Sequence, residues 1–300
     1  MKKYSFNRLI LACALASSIV LAACSTHSSP GERPLAVVSI LPQKSVVEAI
    51  AGEHFEVMVL VPEEGNHETY EPEARQLVNL SRALIYFENG LLGFEKSWLP
   101  GIAQSNPDMK IITLSEGIQL IQGHEIPHGD HTHEGGIDPH FWLSVSAVRT
   151  QAGHVATALK QLDPEHAPDY EKNYHQYMTH LDSLDQELQK ILQGVSGSSF
   201  MILHPSLGYF ARDYNLEQIA IEYEGKEPGL AYLRSLVDVA REKNIRTLFV
   251  SSQFSSKSAE VIARQINAEL KPFNPTALNW EQSLLEVARD LAAAPKQVNP

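Results

Sequence analysis

Three hundred residues, 43% of them hydrophobic and 20% charged, suffice for one large or two ordinary domains with a sizeable core. The net charge of −12 argues against nucleic acid, whose phosphates need a basic face, and is compatible with collecting cations. The two cysteines, Cys13 and Cys24, both lie near the N-terminus, so a disulfide framework and a cysteine-ligated metal site are excluded from the rest of the chain.

Lys2, Lys3 and Arg8 open the chain, followed by an apolar stretch from Leu9 to Val20 that is too short for a stable membrane span. Leu21-Ala22-Ala23-Cys24 then resembles the lipobox of bacterial lipoproteins, in which the cysteine becomes the lipidated first mature residue. Residues 1–23 are thus expected to be a signal peptide. Cys24 is expected to hold the chain at a membrane, and residues 24–34, polar with Pro and Gly, to form a tether. Removal of the three leader cations takes the net charge from −12 to −15. The expected location is extracytoplasmic, in a periplasm or at a cell surface.

Beyond the tether, strand-like and helix-like segments alternate. Leu35–Ile40 reads as a strand, Gln43–Ala51 as a helix, Phe55–Val61 as a strand and Glu73–Ser81 as a helix. Ala83–Phe87 and Ile111–Leu114 read as strands, and Ser144 can cap a helix running to Leu162. From Pro164 to Gln193 no strand-like run and no glycine interrupts a helical spacing of Leu181, Leu184, Leu188, Ile191 and Leu192, which predicts a rod of about 45 Å. A second α/β pattern follows: strands at Phe200–Leu203, Gln218–Ile221, Thr247–Val250 and Leu270–Phe273. Its helices fall at Ser206–Tyr214, Gly229–Lys243, Ser256–Ala268 and Trp280–Ala293. The expected architecture is α/β with two lobes, 35–162 and 196–300. Each has a mostly parallel sheet flanked by helices, and one long rigid helix over 163–195 joins them.

The histidines are unevenly placed. His124, His128, His131, His133 and His140 fall between Gly123 and His140, in a stretch rich in Gly and acid. Residues 123–136 cannot build a core and are expected to form a mobile surface loop whose imidazoles capture metal weakly. His124-Glu-Ile-Pro-His128 matches the H-E-x-x-H zinc-protease pattern. That motif requires a helix, and Pro127 with Gly123 and Gly129 would break one. His140 precedes a helix, and His204 follows a strand at a strand-to-helix turn, where α/β sheets bind ligands. The segment Pro62 to Pro72 also follows a strand and offers His67 with several carboxylates.

Together these motifs resemble the zinc and manganese solute-binding lipoproteins of ABC importers, over nearly the whole mature chain. Pro62 to Pro72 resembles the family's first ligand turn, Asp138-Pro-His140-Phe-Trp-Leu its second and His204-Pro-Ser-Leu-Gly-Tyr-Phe its third. Glu224-Gly-Lys-Glu-Pro228 and Gln253-Phe-Ser-Ser-Lys257 add to the likeness. The resemblance implies a metal in the cleft between lobes, held by His140, His204 and a first ligand that aligns with Glu68, with His67 as the alternative. Where the family has an acid near the C-terminal end, this chain has Asn274. The resemblance further implies a monomer that hands its ion to an ABC permease and performs no catalysis. Imidazoles with a single carboxylate favour Zn²⁺, and Mn²⁺ is the alternative. A zinc hydrolase using the same ligands, or a surface adhesin with incidental metal binding, are the rival readings.

Overall fold

The computed structural model describes residues 33–122, 126–128, 131–133, 136–222, 229–251, 253 and 256–294, with backbone alone for 126–128 and 131–133. The leader, Cys24 and the tether up to residue 32 lie outside the described residues. So do His124, the side chains of His128, His131 and His133, and the whole Glu224–Pro228 segment.

The first lobe runs β1 (Leu35–Val38), α1 (Leu41–Ala51), β2 (Glu56–Val59), α2 (Ala74–Leu80), β3 (Ile85–Glu88), α3 (Gly93–Ser105) and β4 (Lys110–Thr113). Its four strands are all parallel in the order β2-β1-β3-β4. The central strand β3 is buried along its whole length, which explains why Ile85-Tyr-Phe reads as a continuous apolar run and not an alternating one. A short antiparallel hairpin follows, β5 (Ile126–His128) with β6 (His131–His133). Helix α4 (Val145–Leu162) starts at Ser144, whose hydroxyl accepts the Ala147 N–H at 3.1 Å, as its sequence predicts.

The second lobe runs β7 (Ser199–Ile202), α6 (Gly208–Asp213), β8 (Glu217–Ala220), α7 (Leu230–Glu242), β9 (Thr247–Val250), α8 (Lys257–Ile266), β10 (Glu269–Pro272) and α9 (Trp280–Ala293). It repeats the four-stranded parallel arrangement in the order β10-β9-β7-β8. Between the lobes stands α5 (Ala167–Leu192), whose 26 residues span about 39 Å. Tyr170, Tyr177, Leu181, Leu184, Leu188 and Leu192 form its buried stripe. It packs on α1 and α4 of the first lobe and on α9 of the second. One core therefore continues from β1 and β3 through this stripe to Trp280, Leu284 and Val287. A smaller cluster lies under α7 and α8.

Four local readings need correction. The joining helix is shorter than predicted, because Asp163 leaves helical geometry (φ −133°, ψ 76°) and Pro164–His166 forms a separate 3₁₀ turn. Ser206 does not cap the following helix: its hydroxyl turns back to the His204 carbonyl at 3.3 Å, and α6 begins at Gly208. Helix α3 was not expected, since Gly93, Pro100 and Gly101 mask its apolar spacing. The His-rich stretch, expected as a loop throughout, pairs Ile126 with His133 and His128 with His131, and only Gly129-Asp130 separates the two strands in sequence. The extended backbone of Ile126–His128 also removes the helical basis of the protease motif.

Candidate metal centre

The site forms where both sheets end. After β2 the chain turns through Pro62–Tyr70 and presents His67. Asp138-Pro139 leads into the 3₁₀ turn Phe141–Leu143 and presents His140. After β7 it presents His204. All three imidazoles are buried, with exposures of 0%, 2% and 3%. His67 Nε2 stands 2.9 Å from His140 Nε2, and His204 Nε2 stands 3.2 Å from the same atom. Among the described residues these three are the group whose ligand atoms all fall within 4.8 Å of one another. Glu68, 28% exposed, brings Oε1 to 3.5 Å from His204 Nε2. A tetrahedral ion with bonds of about 2.0–2.1 Å needs donor atoms about 3.3 Å apart, and the three distances fall around that edge.

The tautomers follow from what lies behind the rings. The Asp138 carboxylate accepts from His140 Nδ1 at 2.7 Å and from the His140 backbone N–H at 2.9 Å. The Glu222 carboxylate accepts from His204 Nδ1 at 3.1 Å. A ring that donates through Nδ1 keeps Nε2 as a bare lone pair. Two such lone pairs converge among buried side chains, with His67 Nε2 beside them. Burial, followed by the neighbouring His140 and His204, holds His67 well below its ordinary pKa. Burial, followed by His140, holds His204 at about 4, against an opposing pull from Glu68 and Asp138. These two rings are neutral at physiological pH, which is the state a metal requires. His67 Nδ1 has no hydrogen-bond partner among the described residues.

The chain matches the family model "Zinc-uptake complex component A periplasmic", ZnuA, over residues 36–294. It belongs to the ZnuA family. A crystal structure of ZnuA shares 40% of its sequence and superposes with a TM-score of 0.80, covering 88% of this chain and 99% of that one. The high-affinity zinc uptake system protein ZnuA of Bacillus subtilis is 27% identical over 91% of this chain and 88% of its own length. A manganese ABC transporter substrate-binding lipoprotein of Streptococcus gordonii is also 27% identical, over 89% of this chain and 87% of its own. Proteins of the ZnuA family are binding components of metal importers, not enzymes.

Within this family frame the chain has its own features. Asn274, at the position of the expected acid, keeps its side-chain oxygen in its own loop: it accepts from Thr276 N at 3.0 Å, Thr276 Oγ1 at 3.1 Å and Gln253 Nε2 at 3.3 Å. Glu222 was missed in the sequence, yet the register could have found it. Ile202 on β7 pairs with Ala220 on β8, so the residues two further along, His204 and Glu222, leave parallel strands side by side. Gly208 and Tyr209 fall within the third motif, which gave them no role of their own. Tyr209 OH donates to the Asp138 carbonyl at 2.7 Å and accepts from Ile121 N at 3.1 Å, joining the second lobe to the loop that carries His140.

Proposed function

We propose that this protein captures Zn²⁺ outside the cytoplasm as cargo and delivers it to an ABC permease. The observation that carries the reading is the convergence of the His67, His140 and His204 Nε2 atoms, two of them aimed by carboxylates behind the rings. Without a cation the converging lone pairs repel; with one, each becomes a bond. Glu68 completes a tetrahedral N₃O set, and Asp138 and Glu222 offset the charge of the ion from outside. Three imidazoles and one carboxylate favour Zn²⁺ over Mn²⁺, whose sites are richer in oxygen. Asn274, turned into its own loop, adds no further carboxylate.

The ion is bound without chemistry. His67, Glu68 and His140 come from the first lobe and His204 from the second, so release requires moving loops or lobes, and docking on a permease supplies that movement. Cys24 carries the lipid that keeps the monomeric protein at its membrane. The imidazoles of His124, His128, His131 and His133 raise the local supply of metal.

Isothermal titration with zinc tests the site. His140→Ala and His204→Ala should each weaken binding by more than about hundredfold, the upper end for loss of a mere outer-shell partner. Wild-type affinity in both variants would sink the assignment.

A further inference from the structure

Glu95 lies in the first turn of α3 and is 2% exposed, yet none of its described hydrogen bonds reaches His67, Glu68, His140 or His204. Its two oxygens accept from Asn89 N at 2.7 Å, Gly90 N at 2.7 Å and Leu92 N at 3.3 Å, and from the Ser39 hydroxyl at the end of β1. Tyr86 OH stands 2.8 Å from that hydroxyl and 3.5 Å from Glu95 Oε1. One carboxyl group therefore closes the whole connection from β3 to α3.

That connection touches both first-lobe loops of the metal centre. Asn89 Nδ2 donates to the carbonyl of Pro139, the residue before His140, at 3.3 Å. Gly93 lies beside the Glu68 carbonyl, where an added Cβ would be in ordinary contact at 3.7 Å. Phe94 packs edge-on against Tyr70, with ring centres 5.7 Å apart. The imidazole of His67 and that of His140 thus hang from loops that share one support.

Building on the reading of the site above, we propose that Glu95 is a positioning residue for metal binding: its carboxylate sets the Asn89–Leu92 turn, and that turn sets the spacing of the His67–Glu68 and Asp138–His140 loops. The charge state matters. An ionised carboxylate accepts charge-assisted bonds from all four donors, whereas a protonated one must reverse its bond with the Ser39 hydroxyl and holds the turn N–H groups more weakly. Burial, aided by Glu88, pushes Glu95 up to about 7 against the pull of Ser39 and the turn N–H groups. The titratable groups around it are Tyr86 and Glu88 on β3, with Lys96 beside it on α3 lining the same cavity; Ser39 and the turn backbone are neutral. Acidification through neutrality therefore slackens the turn and weakens metal binding. The coupling is reciprocal, so zinc binding favours the ionised form and expels a proton.

Zinc titration calorimetry at pH 6, 7 and 8 tests this on wild type, Glu95→Gln and Asn89→Ala, each checked by thermal melting. Glu95→Gln should melt cooperatively, bind zinc about tenfold more weakly at pH 8, and show a flatter decline towards pH 6 than wild type. Should Glu95→Gln fail to fold, Asn89→Ala decides, because it keeps the carboxylate while cutting the link to Pro139, together with the bond that Asn89 Oδ1 accepts from Leu91 N at 3.1 Å. A several-fold weaker affinity in Asn89→Ala supports the role. Wild-type affinity and pH slope in the folded variant overturn it. Wild-type protein that takes up no zinc at all would sink the reading of the site and this role with it, whereas zinc-binding wild type beside an unaffected variant removes only the role of Glu95.

Discussion

His140 and His204 each hold Nδ1 against a carboxylate, and that second contact is what aims a buried imidazole. The aim of His140 depends on a residue that carries no side chain. A Cβ at Gly208 would stand 2.8 Å from Asp138 Oδ2, closer than such atoms tolerate, while Oδ1 of the same carboxylate holds the ring. Gly208→Ala should therefore swing Asp138 and with it the imidazole, lowering zinc affinity about tenfold while the fold survives. Calorimetry together with a thermal melt checks this. An unchanged Kd would mean that Asp138 does not orient His140. In the sequence, His140 stood out because it precedes a helix and His204 because it occupies a strand-to-helix turn. The pairing of His67 with Glu68 stayed ambiguous because one turn residue more or less decides which side chain faces inward. The turn brings both into reach, with His67 inside the imidazole cluster and Glu68 at its rim.

At the scale of elements, parallel strands and their crossover helices were legible because buried β-runs and amphipathic helices have distinct periods. The long helix was legible for the same reason, its leucines recurring at helical spacing on an otherwise polar rod. What escaped was set by tertiary packing: α3, with Pro100 inside it, and the start of α6, where the Ser206 hydroxyl prefers a carbonyl. Ser144 shows how one element end can serve both lobes. Its hydroxyl caps α4 by accepting from Ala147 N, and it donates a short hydrogen bond to Asp213 on α6. Ser144→Ala removes the cap and leaves a part-buried carboxylate without this donor. The expected loss is about 2 kcal/mol, the upper end for N-cap removal, with no change in urea m-value. A loss below about 0.5 kcal/mol in urea unfolding would show that neither bond contributes materially.

For the whole molecule, Tyr209, Trp142 and Gln253 are among the side chains that tie the lobes together around the centre. Tyr209 reaches Asp138 and Ile121, Trp142 Nε1 donates to the Pro275 carbonyl at 2.7 Å, and Gln253 Nε2 donates to the Glu63 carbonyl at 3.1 Å. The ion would be held inside this frame, and the His-rich stretch joins the first lobe at the Gln122–Ile137 pair. Gln122 and Ile137 form an antiparallel bridge, so residues 123–136 leave and re-enter the first lobe at one place. Removing them therefore leaves two ends already side by side, and Asp138 and His140 keep their supports from Asn89, Tyr209 and each other. The deletion should keep the tight zinc site within a few-fold of wild-type affinity and lose only weaker equivalents contributed by His124, His128, His131 and His133. Equilibrium dialysis across a range of free zinc measures both, since stoichiometry at high zinc reports the stretch and half-saturation at low zinc reports the centre. If stoichiometry stays at the wild-type value after deletion, the stretch holds no metal and its supply role is lost. If tight binding also collapses, the centre depends on the stretch, contrary to the separation that the Gln122–Ile137 bridge implies.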